Sequence, residues 1–128
     1  MPLLIPKTVV AGLALALTFG PSAARAHHSF AMFDRTRQVT LVGVVKAFQW
    51  TNPHSWVQLA VARGGAEEAW AIEALSPNVL GRQGWSKNTL RPGDRVSVVI
   101  NPLRDGKAGG NLVSVALADG RVLGGGAE

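Results

Sequence analysis

SPNVLGRQGW, residues 76–85, is the stretch whose reading decides the fold. Ser76 followed by Pro77 is a helix N-cap with proline at the first helical position, where a backbone N–H has no intrahelical partner and a fixed φ suits the helix. Val79 and Leu80 supply a buried side, and Gly81 and Gly84 keep the helix short. On both sides of it the chain reads as strand.

Upstream, residues 39–50 (VTLVGVVKAFQW) are rich in β-branched residues, with Val42, Val44, Phe48 and Trp50 on one face and Leu41, Val45 and Ala47 on the other. Gly43 lets so long a strand bend and serve two sides of a small barrel. Thr51-Asn52-Pro53-His54 is a turn, because Asn-Pro starts turns and proline cannot continue a ladder. Residues 55–62 (SWVQLAVA) alternate, Val57, Leu59 and Val61 inward and Trp56 and Gln58 outward. Arg63-Gly64-Gly65 turns the chain into residues 68–75 (EAWAIEAL), with Trp70, Ile72 and Ala74 on one face and Glu73 on the other.

Downstream of the helix, residues 90–94 (LRPGD) form a turn and residues 95–101 (RVSVVIN) a fourth strand. Residues 105–110 (DGKAGG) read as a flexible hairpin loop and 111–117 (NLVSVAL) as a fifth strand, before a short end at 121–123. Three strands, a short helix and two strands are the element order of an OB-fold, a five-stranded Greek-key barrel. The expected class is therefore all-β with one short helix: an OB-like barrel over 39–123, an N-terminal arm over 27–38 and a flexible tail over 124–128.

The first 26 residues read as a signal peptide. Lys7 gives a positive start, residues 9–19 (VVAGLALALTF) an apolar run, Gly20 and Pro21 a break, and Ala24-Arg25-Ala26 a small-x-small cleavage site. The run is short for a bilayer span, so no stable membrane span is expected after cleavage. The expected location is the periplasm. The alternative is an uncleaved, N-terminally membrane-anchored protein. Removing 26 of the 128 residues leaves 102, one small domain, and loses Lys7 and Arg25, so the net charge falls from +5 to +3. The remaining bases are scattered, and no nucleic-acid partner is expected. With no cysteine, an exported chain has no disulfide framework, thiol chemistry or Cys-based zinc site.

HHSFAMFD from His27, FQWTNPHSW at 48–56, SPN at 76–78, GW at 84–85, PGD at 92–94 and NPLRDG at 101–106 together resemble a group of small exported proteobacterial proteins classed as a domain of unknown function. The resemblance spans essentially the whole mature chain. It implies export and a small barrel-like domain, and it carries no catalytic residues.

The three histidines are His27, His28 and His54. Cleavage before His27 makes its α-amine and imidazole a chelating pair, and nitrogen-rich sites suit Cu(II), Ni(II) or Zn(II). With His54 as a further imidazole the set resembles the histidine brace of copper proteins; His28 is tied to His27 through the backbone and is the weaker third ligand. Cleavage after Ala24 would instead place His27 third, a position that chelates Cu(II) without help from the fold. The plainer reading is that His54 caps a turn and the other two are solvated.

Four tryptophans and no tyrosine are the second signal. Trp50 and Trp56 flank the Asn52–His54 turn, near the face where OB-folds take ligands, and exposed aromatics there stack on sugars or bases. Trp70 and Trp85 read as core. Glu67 and Glu68 are neighbours in a turn and form no acid–base pair. Glu73 is expected to pair with Arg82 or Arg91. No serine has a nucleophile context, and no glycine spacing makes a phosphate loop.

The expectation is an exported binding module, with no catalytic residues assigned. The first candidate ligand is a divalent metal, copper (Cu2+) first, held by His27 and His54 with His28. The alternative is a non-metal ligand or an envelope protein taken at Trp50, Asn52 and Trp56. A copper-dependent redox enzyme stands third.

Overall fold

Arg63 and Ala66 face each other across Gly64-Gly65, whose φ values of 58° and 80° make a turn that residues with side chains rarely adopt. This two-residue link fixes the register of the first hairpin, and the rest of the barrel follows from it. The structure is a computed structural model that describes residues 30–125. The predicted signal peptide at residues 1–26, His27, His28 and residues 126–128 lie outside the described residues.

A short 3-10 turn at Phe30–Met32 leads into β1 (Val39–Gln49), β2 (Trp56–Arg63) and β3 (Ala66–Glu73). The helix α1 (Pro77–Arg82) comes next, followed by β4 (Arg95–Pro102), β5 (Gly109–Ala116) and β6 (Val122–Gly124). β1 pairs with both β2 and β4, β4 with β5, and a parallel pairing of β3 with β5 closes the ring. Five strands thus form a closed mixed barrel of OB-fold strand order, and β6 adds an extra strand beside β5. Among the described residues no helix is long and apolar enough to cross a membrane.

Ser76 caps α1, its Oγ accepting from the Val79 N–H at 3.4 Å, with Pro77 opening the helix. Leu80 is fully buried with Leu59, Ile72, Ile100 and Leu112, and burying a side chain of that size is worth about 2–3 kcal/mol. Trp70 and Trp85 belong to the core, and the Trp85 Nε1–H donates to the Gly124 carbonyl at 2.7 Å.

β1 does not keep a single inner face. A bulge at Lys46, between the pairs Val45↔Leu59 and Ala47↔Gln58, changes the phase. Before it Leu41 and Val45 are buried and Val42 is exposed; after it Phe48 and Trp50 turn toward the core. The expected face of Val42, Val44, Phe48 and Trp50 is therefore split in two.

The expected hairpin loop at 105–110 is also shorter, because Gly109 and Gly110 are part of β5. A Cβ on Gly109 would sit 3.0 Å from the Ala71 carbonyl oxygen, and one on Gly110 would sit 2.6 Å from that of Asn101. The glycines are there because β3, β4 and β5 approach too closely for side chains, which is what closes the barrel. At the far end Gly125 is buried. It donates its N–H to Val113 and accepts from Leu75, so the chain is held beyond the expected start of the tail.

Candidate functional site

The β2–β3 register sets Trp56 directly opposite Glu73. Both lie on the side of the sheet away from Val57 and Ile72, so indole and carboxylate share the outer surface. Backbone bonds carry the pairing past the strand ends: the Ser55 N–H donates to Leu75 and the Ala74 N–H to Ser55. His54 is thereby drawn alongside Glu73 and Ala74, after the cis Asn52–Pro53 bond, with its own carbonyl accepting from Thr51 Oγ1 at 2.8 Å.

His54 Nδ1 lies 3.2 Å from Glu73 Oε1 and 3.3 Å from the Ala74 carbonyl oxygen. Both neighbours are acceptors, so the proton is assigned to Nδ1, and in the neutral ring the lone pair belongs to Nε2. Glu73 is only 3% exposed. Burial of a carboxylate is costly unless it is paired and hydrogen-bonded, and His54 supplies that partner. The expected pairing of Glu73 with Arg82 or Arg91 is replaced by this one.

Trp56 and Glu73 line a cleft of about 220 Å³. Its roof comes from the N-terminal arm, through Met32 and Phe33, and its floor from Leu103 and the glycines that begin β5. Phe33 is buried and forms an isolated antiparallel bridge with Leu103. The arm is tied down further where the Asp34 N–H donates to Pro102 and Arg104 donates through Nε to Ala31 and through its backbone N–H to Met32. Asp34 accepts from the Thr36 N–H and hydroxyl, and chiefly that hydroxyl bond holds its carboxyl below the usual aspartate range. Lys107 stands at the rim.

The predicted ligand residues do not form one surface. Trp56 lines the cleft, whereas Trp50 packs edge-on against Phe48 with ring centres 5.7 Å apart and faces the core. Asn52 is exposed in the turn. Of the predicted metal ligands, His54 is placed as described, and among the described residues no group of three or more His, Asp or Glu side chains converges. Glu73, Met32, Phe33 and Lys107 were not expected at a site. For Glu73 the signal was present: counting back from the Gly64-Gly65 turn pairs residue 56 with residue 73.

Fold and site together define a small OB-type barrel with a cleft between its β2–β3 face and a docked N-terminal arm. The chain belongs to the family of unknown function DUF6152, whose model matches residues 16–113. No curated protein and no solved structure matches it.

Proposed function

We propose that this protein is an exported binding module that takes a small ligand in the cleft between Trp56, Glu73 and the arm. The observation that carries the reading is the cross-strand pair itself: an aromatic face and a buried carboxylate side by side in the wall of an otherwise apolar cavity. A concave apolar site with few polar groups is the usual form of a ligand pocket, and 220 Å³ is the volume of about seven waters, small even for such sites. The test is a screen of ring-sized fragments against the mature protein, following the Trp56 indole N–H by NMR. Fragments that shift this signal, and lose the effect on Phe33→Ala, are expected. A Trp56 signal indifferent to every fragment would overturn the reading.

A second reading, Cu(II) binding by His27 with His54 and His28, is favoured by one contact. A metal-binding histidine commonly donates its second ring N–H to a carboxylate, as His54 does toward Glu73. His28 is four residues before Met32, a reach of at most about 14 Å from the cleft wall. Protein exported with its own leader is expected to have a mass beginning at His27 and a nitrogen-rich Cu(II) EPR signal that changes on His54→Ala. A retained leader, or copper that ignores His54, sinks this reading.

A further inference from the structure

Charge is spread unevenly over the barrel. Beyond residue 26 the chain carries 11 basic and 8 acidic side chains, and the bases look scattered along it. The acids decide where charge remains. Outside residues 82–95, seven bases and seven acids cancel. Every described acid there has a basic or imidazole partner at 2.8–3.9 Å, as Glu67 has Lys46 and Asp119 has Arg121. The stretch from the last residue of α1 to the first of β4 breaks this pattern. It sets Arg82, Lys87, Arg91 and Arg95 against Asp94 alone, so the whole net charge of +3 resides in residues 82–95. All four bases are exposed, and among the described residues none has an acidic partner.

The stretch is fixed to the barrel. Trp85 and Leu90 are buried and pin it from below. The Ser86 N–H donates to Thr89 Oγ1 at 2.8 Å, and Asp94 Oδ2 accepts the Arg91 N–H at 2.9 Å. Gly93 donates its N–H to the Val45 carbonyl, and Val45 donates to that of Asp94, each at 2.8 Å. The bases therefore stand on a braced ridge. No exposed side chain of this ridge is aromatic or large and apolar. Nothing there stacks on nucleobases, and nothing anchors a protein hot spot. Charge on a polar surface, with no pocket and no wedge, suits anions that are dense and laterally mobile, as lipid headgroups are.

We propose that residues 82–95 dock the protein on an anionic lipid surface, with Arg82, Lys87, Arg91 and Arg95 facing the headgroup phosphates. The contact is peripheral and salt-sensitive, because no apolar side chain enters the bilayer. It is independent of the cleft and uses none of its residues.

Sedimentation of the mature protein with vesicles tests it, using phosphatidylcholine with and without about one-third phosphatidylglycerol. Binding to the anionic vesicles is expected to be at least about tenfold tighter than to the neutral ones, and to be lost in high salt. Each base near such a surface contributes roughly fivefold, so Lys87→Ala with Arg91→Ala should weaken binding by about 25-fold. Neither side chain bonds within the described structure, so the double variant keeps the fold. Arg63→Ala with Arg121→Ala removes the same charge from ion-paired positions and should change binding less than about threefold. Equal binding to neutral vesicles, or equal losses in the two double variants, would overturn the proposal. Tighter binding to duplex DNA than to anionic vesicles at equal phosphate concentration would overturn lipid as the partner.

Discussion

Phe33 is bridged to Leu103, so the segment that roofs the cleft is bonded to the segment that floors it. The arm is thus part of the site and of the barrel at once, and its loss should be felt in both. Phe33→Ala removes a buried ring and is expected to cost about 3 kcal/mol in urea unfolding. The same variant should expose the cleft and increase quenching of tryptophan fluorescence by iodide. A stability change within about 0.5 kcal/mol would mean that the arm is not docked in solution.

The His54–Glu73 pair should respond unequally to its two deletions. His54→Ala leaves a buried carboxylate without its partner and is expected to destabilise by about 2 kcal/mol, less than for a fully buried pair because His54 is partly exposed. Glu73→Gln keeps an acceptor for Nδ1–H and should cost less than half as much. Equal losses, measured by chemical unfolding, would show that charge at position 73 contributes nothing.

Glycines that look alike in sequence should behave oppositely. Gly110→Ala drives a methyl group against Asn101 and Ile100 and is expected to destabilise by about 2–3 kcal/mol. Gly81→Ala meets nothing within 4 Å and sits in α1, so it should stabilise by about 0.5–1 kcal/mol. Thermal unfolding of the two variants beside the parent checks the pair of signs.

Acid should loosen the arm. The hydrogen bond from the Thr36 hydroxyl lowers the Asp34 carboxyl below its ordinary value of 3.8, opposed by desolvation and helped by the Thr36 N–H and more weakly by Arg104 and Arg37. A carboxyl lowered in the folded state stabilises fully above the unfolded value, and that stability is lost as pH falls through the lowered folded value. Asp34→Asn should therefore flatten the stability profile between about pH 5 and pH 2, with the loss of stability seen at pH 7 and little change at pH 2. An unchanged acid slope would remove Asp34 from the arm's attachment.

How much of this was legible in sequence depended on whether the signal was local. Ser76-Pro77 announced the helix, and with it the OB order of strands, because capping chemistry resides in two adjacent residues. Gly64-Gly65 likewise carried the register that sets Trp56 opposite Glu73. The Lys46 bulge was not legible: residues 39–50 carry apolar side chains on both faces, and only the pairing with β2 reveals the extra residue. The glycines at 109 and 110 were ambiguous, since a loop and a close strand crossing both call for glycine, and the Ala71 and Asn101 carbonyls that decide between them are distant in sequence. The arm has no period at all, and its docking onto Leu103 is a property of the folded barrel alone.

The parallel seam between β3 and β5 also sets an order of assembly. β1, β2 and β3 are joined by short links and can form as a local meander, but the closing contact joins residue 71 to residue 109. A chain appearing from its N-terminus therefore carries an unsatisfied β3 edge until nearly its whole length is present. Bare strand edges pair with whatever strand they meet. The interval before Gly109 and Gly110 arrive is when this protein is most open to mispairing, and a stop in translation just before them leaves a sheet with nothing to seal it.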